Sequence, residues 1–285
     1  MLKKLLKHEF RYVWRIWWIL AVVMLSLAVG GGLTQGFVKL AEQNSSFESA
    51  ANLSAILLSL CIICMVCSVF GLFILILVRF YNHMFTDEGY LTFTLPVSRR
   101  DVLLSKTINA FIWTIAHTVL LIICIDLISI LSDLTTNGEI GASNLITYSI
   151  GELFEIGWDA FGGWTIAYAF EIFALMAIGV VFGICLFQLC ITIAATVAKK
   201  AKLLVAIGVY YLAGIVLSLI GQIILIIAAA ITSSGLSTVL ANITEMQGYG
   251  LLALVLLIGI AAFSTFTLLI YFINRNILER KLNLA

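Results

Sequence analysis

Arg79-Phe-Tyr-Asn-His-Met-Phe-Thr-Asp-Glu-Gly-Tyr-Leu-Thr-Phe-Thr-Leu-Pro-Val-Ser-Arg-Arg-Asp-Val-Leu-Leu-Ser-Lys106 is the stretch on which the fold of this chain turns. It lies between two strongly apolar runs and sets Arg79, Arg99, Arg100 and Lys106 against Asp87, Glu88 and Asp101. It also holds the only proline, Pro96, which biases Leu95 toward an extended backbone. Ser98 followed three residues later by Asp101 has the spacing of a capping box. The serine hydroxyl can accept an N–H of the new helix, and the acid in its first turn suits the helix dipole. The segment therefore reads as a polar turn or short helix that stops at Pro96, with a fresh helix leaving from Ser98. On the charged side of a membrane, such an ordered loop is a docking surface.

Outward from this loop the chain is apolar. Its 285 residues are 62% hydrophobic and 11% charged, with a mean hydropathy of +1.14. Soluble domains carry about 25% charged residues, so composition predicts an all-α polytopic membrane protein. Six spans are expected: Ile16 to about Gly36, Leu53 to Val78, Thr107 to Leu131, Ile166 to Val197, Leu203 to Ile231, and Gly250 to Ile273. The first is expected to close in Gly30-Gly31-Gly32, and residues 37–52 read as polar connection.

Residues 1–15 read as an amphipathic helix lying in the membrane interface. Leu2, Leu5, Leu6, Phe10, Val13 and Trp14 recur at helical spacing, and Lys3, Lys4, Lys7, His8, Arg11 and Arg15 fill the other face. A secretory signal is the rival reading of a basic start before an apolar run. Signal n-regions lack such an amphipathic face and no clean cleavage site follows, so the segment is read as retained. Residues 132–164 form a longer excursion with five acids and no lysine or arginine. Ile146, Ile150, Leu153, Phe154 and Phe161 suggest a second interfacial helix within it, either a cap over helix ends or a substrate gate.

Charge sets the orientation. The N-terminal tail, the 79–106 loop, the 199–202 turn and the C-terminus hold fifteen of the sixteen lysines and arginines. The opposite side holds only Lys39. By the positive-inside rule both termini are cytoplasmic.

Within the spans, Asp126 and Glu171 fall near outer ends, where they either line a substrate path or gate or sit at the outer interface. His117, Gln188 and Gln222 lie deeper, as interhelical hydrogen-bonding groups or translocation-path contacts. Gly179-x-x-x-Gly183 and Gly214-x-x-x-Ser218 mark faces where helices can approach closely. Cys61-x-x-Cys64-x-x-Cys67 lies in an apolar run with no histidine nearby and is read as packing on one helix face. No spacing suits a catalytic dyad, a triad or a metal site. No Gly-x-x-x-x-Gly-Lys-Ser/Thr loop occurs either, so the chain is not read as its own ATPase.

The six-span plan, the basic N-terminal helix and the 79–106 loop together resemble a type-2 ABC transporter permease, the membrane subunit of bacterial exporters. The most specific match is Leu95-Pro-Val-Ser-Arg-Arg-Asp-Val-Leu-Leu-Ser-Lys106, similar to the Pro-(Val/Ile)-Ser-Arg…(Gly/Ser)-Lys element after the second span in that family. Glu88-Gly-Tyr-Leu91 with Phe93-Thr-Leu-Pro96 looks like a subgroup common in Gram-positive bacteria.

The resemblance implies that residues 1–15 are the connecting helix and that the loop carries a coupling helix. Asp87, Glu88, Gly89, Tyr90, Pro96, Ser98, Arg99 and Arg100 would then contact a separate ABC ATPase. It further implies two ATPase copies, which bind the ATP and Mg, and a second permease subunit as homo- or heterodimer, in the cell membrane. No cofactor is expected in this chain itself, and no nucleic acid as partner. The family usually has its re-entrant helices before the last span, whereas here the excursion precedes the fourth. The implied function is export of a peptide, lipid or drug-like substrate. An ion-gradient-driven secondary transporter and a non-transporting membrane scaffold are the alternatives. The first of these usually has helices broken near the midplane, and the lone proline sits in a loop.

Overall fold

The structure, a computed structural model, describes residues 2–42, 48–86, 89, 98–137, 146–198, 201–231 and 245–281. These form seven helices: α1 (Leu2–Glu42), α2 (Glu48–Phe85), α3 (Arg99–Asn137), α4 (Ile146–Phe161), α5 (Trp164–Val197), α6 (Lys202–Ile231) and α7 (Glu245–Lys281). No strand occurs among the described residues. In hydrocarbon every backbone N–H and C=O must be bonded within its own segment, and long apolar runs meet that demand as helices. All but α4 contain a stretch long and apolar enough to cross a membrane, six in all, so this is an all-α, multi-pass membrane protein.

Several helices outrun the expected spans. α1 has 41 residues, about 60 Å at 1.5 Å per residue, roughly twice a bilayer's hydrocarbon core. It passes through Gly30-Gly31-Gly32 without ending and takes in residues 37–42 of the stretch read as polar connection. The basic segment 2–15 is likewise continuous with the first span, not a separate helix turned into the membrane plane. Its apolar side is already used by packing, as described below, which removes the reason to bend. α3 also continues past Leu131, to Asn137. The helix expected within the excursion is present as α4.

The chain divides into two compact units, Met1–Arg79 with Ile108–Ile156 and Phe80–Thr107 with Gly157–Ala285. In the first, Ala21, Met24 and Ala28 of α1, Met65 of α2, and Leu120, Cys124 and Ile128 of α3 form one buried cluster. Val13, Leu72 and Trp113 form a second. Phe10 and Trp17 flank the Trp113 ring at centroid distances of 4.7 and 5.3 Å. Farther along, α1 and α3 approach almost backbone to backbone. A Cβ on Gly32 would stand 2.6 Å from the Leu131 Cβ, and one on Gly36 would fall onto the Thr135 hydroxyl. Gly32-x-x-x-Gly36 is therefore the close-packing motif of this unit, and Lys39 closes it with an ion pair to buried Asp133 at 3.0 Å.

In the second unit α5 packs against α7 and α6. Phe182 meets Phe263 at 4.9 Å, and Phe187 stacks on Tyr210 at 3.7 Å. The glycines singled out in the sequence take no part. A Cβ added at Gly179, Gly183 or Gly214 would meet nothing within 4 Å.

Candidate functional site

The 79–106 segment is described at both ends. Asp87, Glu88, Tyr90 and Pro96 lie outside the described residues. Gly89 is buried, and a Cβ there would stand 2.8 Å from the Met84 carbonyl, so only glycine fits that approach to the end of α2. At the far end Ser98 caps α3 as its spacing predicted: the Asp101 N–H donates to the Ser98 hydroxyl at 3.1 Å. Asp101 stands in the first turn.

Arg99 and Arg100, adjacent in sequence, have different surroundings. Arg100 and Ser98 are exposed. Arg99 is half-buried, and its Nη1 donates to the carbonyls of Leu278 and Glu279. Those carbonyls belong to the last turn of α7, where no intrahelical N–H remains to meet them and a cation is favoured. Sequence placed both arginines on the surface toward a partner; the structure leaves Arg100 there and gives Arg99 an internal role.

Beyond the cap, Ser105, Lys106 and Thr107 are buried. The Thr107 hydroxyl donates to the Gln188 Oε1 at 2.9 Å, and Thr192 donates to the Gln188 carbonyl at 2.8 Å. On α7, Asn274 is 1% exposed and its Oδ1 has no hydrogen-bond partner; the Tyr271 hydroxyl is also buried without one. Sequence reasoning passed over both. Thr267, Tyr271 and Asn274 at intervals of four and three residues were the available signal, a polar stripe on one face of an apolar helix. Glu171, 17 residues before Gln188 and roughly 25 Å away along α5, is 6% exposed with an unpartnered Oε2. Gln222 is exposed on α6 and joins none of these groups.

The first unit has its own buried polar groups. His117 is 1% exposed, its Nε2 lies 3.4 Å from the Ser68 hydroxyl, and its Nδ1 has no partner. Ser68 donates its own proton to the Met65 carbonyl at 2.7 Å, so its oxygen is the acceptor toward the imidazole. Asp126 is half-buried one stretch farther along α3. At the other end of this unit Arg79 lies 3.9 Å over the Tyr12 ring and 3.5 Å from the Glu9 carboxylate, and Glu9 is buried.

The five residues proposed for a substrate path are divided between the two units. His117 and Asp126 belong to one unit, and Gln188, Glu171 and Gln222 to the other. What converges, in the second unit, is a polar seam linking the start of α3 to α5 and the end of α7. Among the described residues no group of three His, Cys, Asp or Glu side chains has metal-binding geometry. Of the Cys61, Cys64, Cys67 series only Cys61 packs inward, toward Gly31; the other two are exposed. No family model, curated protein or solved structure matches this chain.

Proposed function

We propose that this chain is the permease subunit of an ATP-binding cassette exporter of the type-2 class. It resides in a bacterial cell membrane with both termini cytoplasmic and moves a peptide, lipid or drug-like substrate outward. Separate ATPase subunits, two per assembly, bind and hydrolyse the ATP, and a second permease copy or homologue completes the transporter. The observation that carries this reading is the Leu95–Lys106 element, with Ser98 capping α3 and Arg100 presented at the surface. The Arg99 bond to the end of α7 supports it further, because motion imposed on the loop is passed to the last span through a charged hydrogen bond. A two-state repacking of helices then alternates access. The test is purification of the tagged chain from its native membrane, followed by photolabelling with an azido-ATP. Label on a second polypeptide, with none on this chain, is the expected result; label on this chain alone refutes the reading.

The unpartnered Glu171 carboxylate favours one alternative, a secondary transporter driven by an ion gradient. Uptake into liposomes driven by a pH or sodium gradient, with this chain as the only protein, would establish it instead.

A further inference from the structure

α1 places its first fifteen residues on the first unit in a fixed rotation. Glu9 turns toward Arg79, and Phe10, Val13 and Trp17 pack around Trp113. At 100° per residue, Lys3, Lys4, Lys7, Arg11 and Arg15 all fall within an arc of about 120° centred opposite Glu9. All five are exposed, and among the described residues none is paired with a carboxylate. Two further members of the same arc, Trp14 and Trp18, are also exposed. Beyond Trp18 the arc continues through Val22 and Val29, both exposed and aliphatic, before Gly32 and Gly36 bring the same arc onto α3. One outward face of one uninterrupted helix thus runs from cations to indoles to aliphatic chains. That is the order of a bilayer from headgroup through interface to hydrocarbon.

We propose that this face is a binding surface for anionic phospholipid headgroups of the membrane the chain spans. The aromatic and aliphatic continuation selects lipid over an acidic protein, for which only the charges would be needed. Arg11 and Arg15 carry most of the attraction. Lys3 stands 12 residues before Arg15, about 18 Å along the helix, beyond the Debye length of roughly 8–10 Å. A cation at the surface favours an anionic over a neutral lipid by about fivefold.

The experiment uses the full chain in nanodiscs of phosphatidylcholine and phosphatidylglycerol at four to one, with Trp158→Phe and Trp164→Phe to remove the exposed indoles elsewhere. Acyl-chain bromine, which quenches tryptophan on contact, is carried either by the phosphatidylglycerol or by an equal amount of the phosphatidylcholine. Bromine on the anionic lipid is expected to quench at least about twofold more, after averaging over neutral neighbours. Arg11→Gln/Arg15→Gln should bring the two to parity, while Arg11→Lys/Arg15→Lys keeps the excess and shows that the helix is intact. The Lys3→Gln/Lys4→Gln/Lys7→Gln variant should lose less. Equal quenching by the two lipids in the unaltered face overturns the proposal and leaves an acidic protein as the occupant. An excess that survives Arg11→Gln/Arg15→Gln overturns it as well.

Discussion

Arg99 is bonded to the main chain of Leu278, 179 residues away in sequence, while its neighbour Arg100 is left exposed. This separates two roles that a pair of adjacent arginines in a polar loop would otherwise share. Arg99→Gln shortens the donor and leaves the last carbonyls of α7 short of a partner. A hydrogen bond from a charged group is worth about 1.5–3 kcal/mol, and thermal unfolding in detergent should record a loss of that order. Arg100→Glu should leave the melting temperature unchanged, yet release the proposed ATPase on co-purification, since like charge at an interface can cost several kcal/mol. Equal melting losses in the two variants would remove the distinction.

Glycine contact predicts a second asymmetry. Gly36→Ala sets a methyl against Thr135 where helix backbones touch, and Gly32→Ala sets one against Leu131. Overpacking of this kind costs about 1–3 kcal/mol. Gly179→Ala and Gly214→Ala enter open space and should be neutral or slightly stabilising. Folded yield and unfolding temperature of the four variants, compared in one detergent, check this ordering.

The pattern explains what could be read in advance. Span number, the Ser98 cap and the α4 helix follow from local composition and spacing, so they were legible. Helix ends were not. α1 and α3 continue past their apolar runs because Gly32, Gly36 and the Lys39–Asp133 pair hold them together, and that contact joins residues nearly a hundred positions apart. The same reason hid Arg99: the cap on α7 depends on which helix end lies beside α3. Of the site, sequence marked Gln188 and Glu171 as polar groups in apolar helices, but not Asn274, which lies near the cationic end of α7.

At the start of the first unit, Glu9 and Arg79 have side chains 6% and 13% exposed. Glu9→Gln removes the carboxylate from beside a largely buried guanidinium that also lies over the Tyr12 ring. Removing one partner of a buried pair costs about 3–5 kcal/mol. Tyr12→Leu should cost less, about 0.5–2 kcal/mol for a cation over a ring. A double-mutant cycle in Glu9 and Arg79, read by thermal unfolding, should return a coupling energy well above that of an exposed pair, about 0–1 kcal/mol.

Orientation is tested by thiol labelling in a cysteine-free background. If both termini are cytoplasmic, as proposed, a thiol at Asn137 should react with an impermeant maleimide added to intact cells. Thiols at exposed Ser98 and at Arg100 should react only after permeabilisation. Reaction at Ser98 in intact cells would invert the assignment.

The last prediction separates transport from folding within the second unit. Thr107→Val removes the donor to Gln188 without changing side-chain volume much. Interhelical hydrogen bonds in membranes average about 0.6 kcal/mol, so the variant should fold and melt slightly lower. Glu171 makes no bond that Glu171→Gln would break at its buried Oε2, so that variant should keep its melting temperature. If Glu171 contacts a cationic group of the substrate, removing its charge should weaken substrate-stimulated ATP hydrolysis of the assembled transporter. The loss should appear chiefly as a raised KM, by about tenfold for each 1.4 kcal/mol of lost attraction. Basal hydrolysis by the proposed ATPase should stay as it was. An unchanged KM beside an unchanged melting temperature would remove Glu171 from the proposed substrate path.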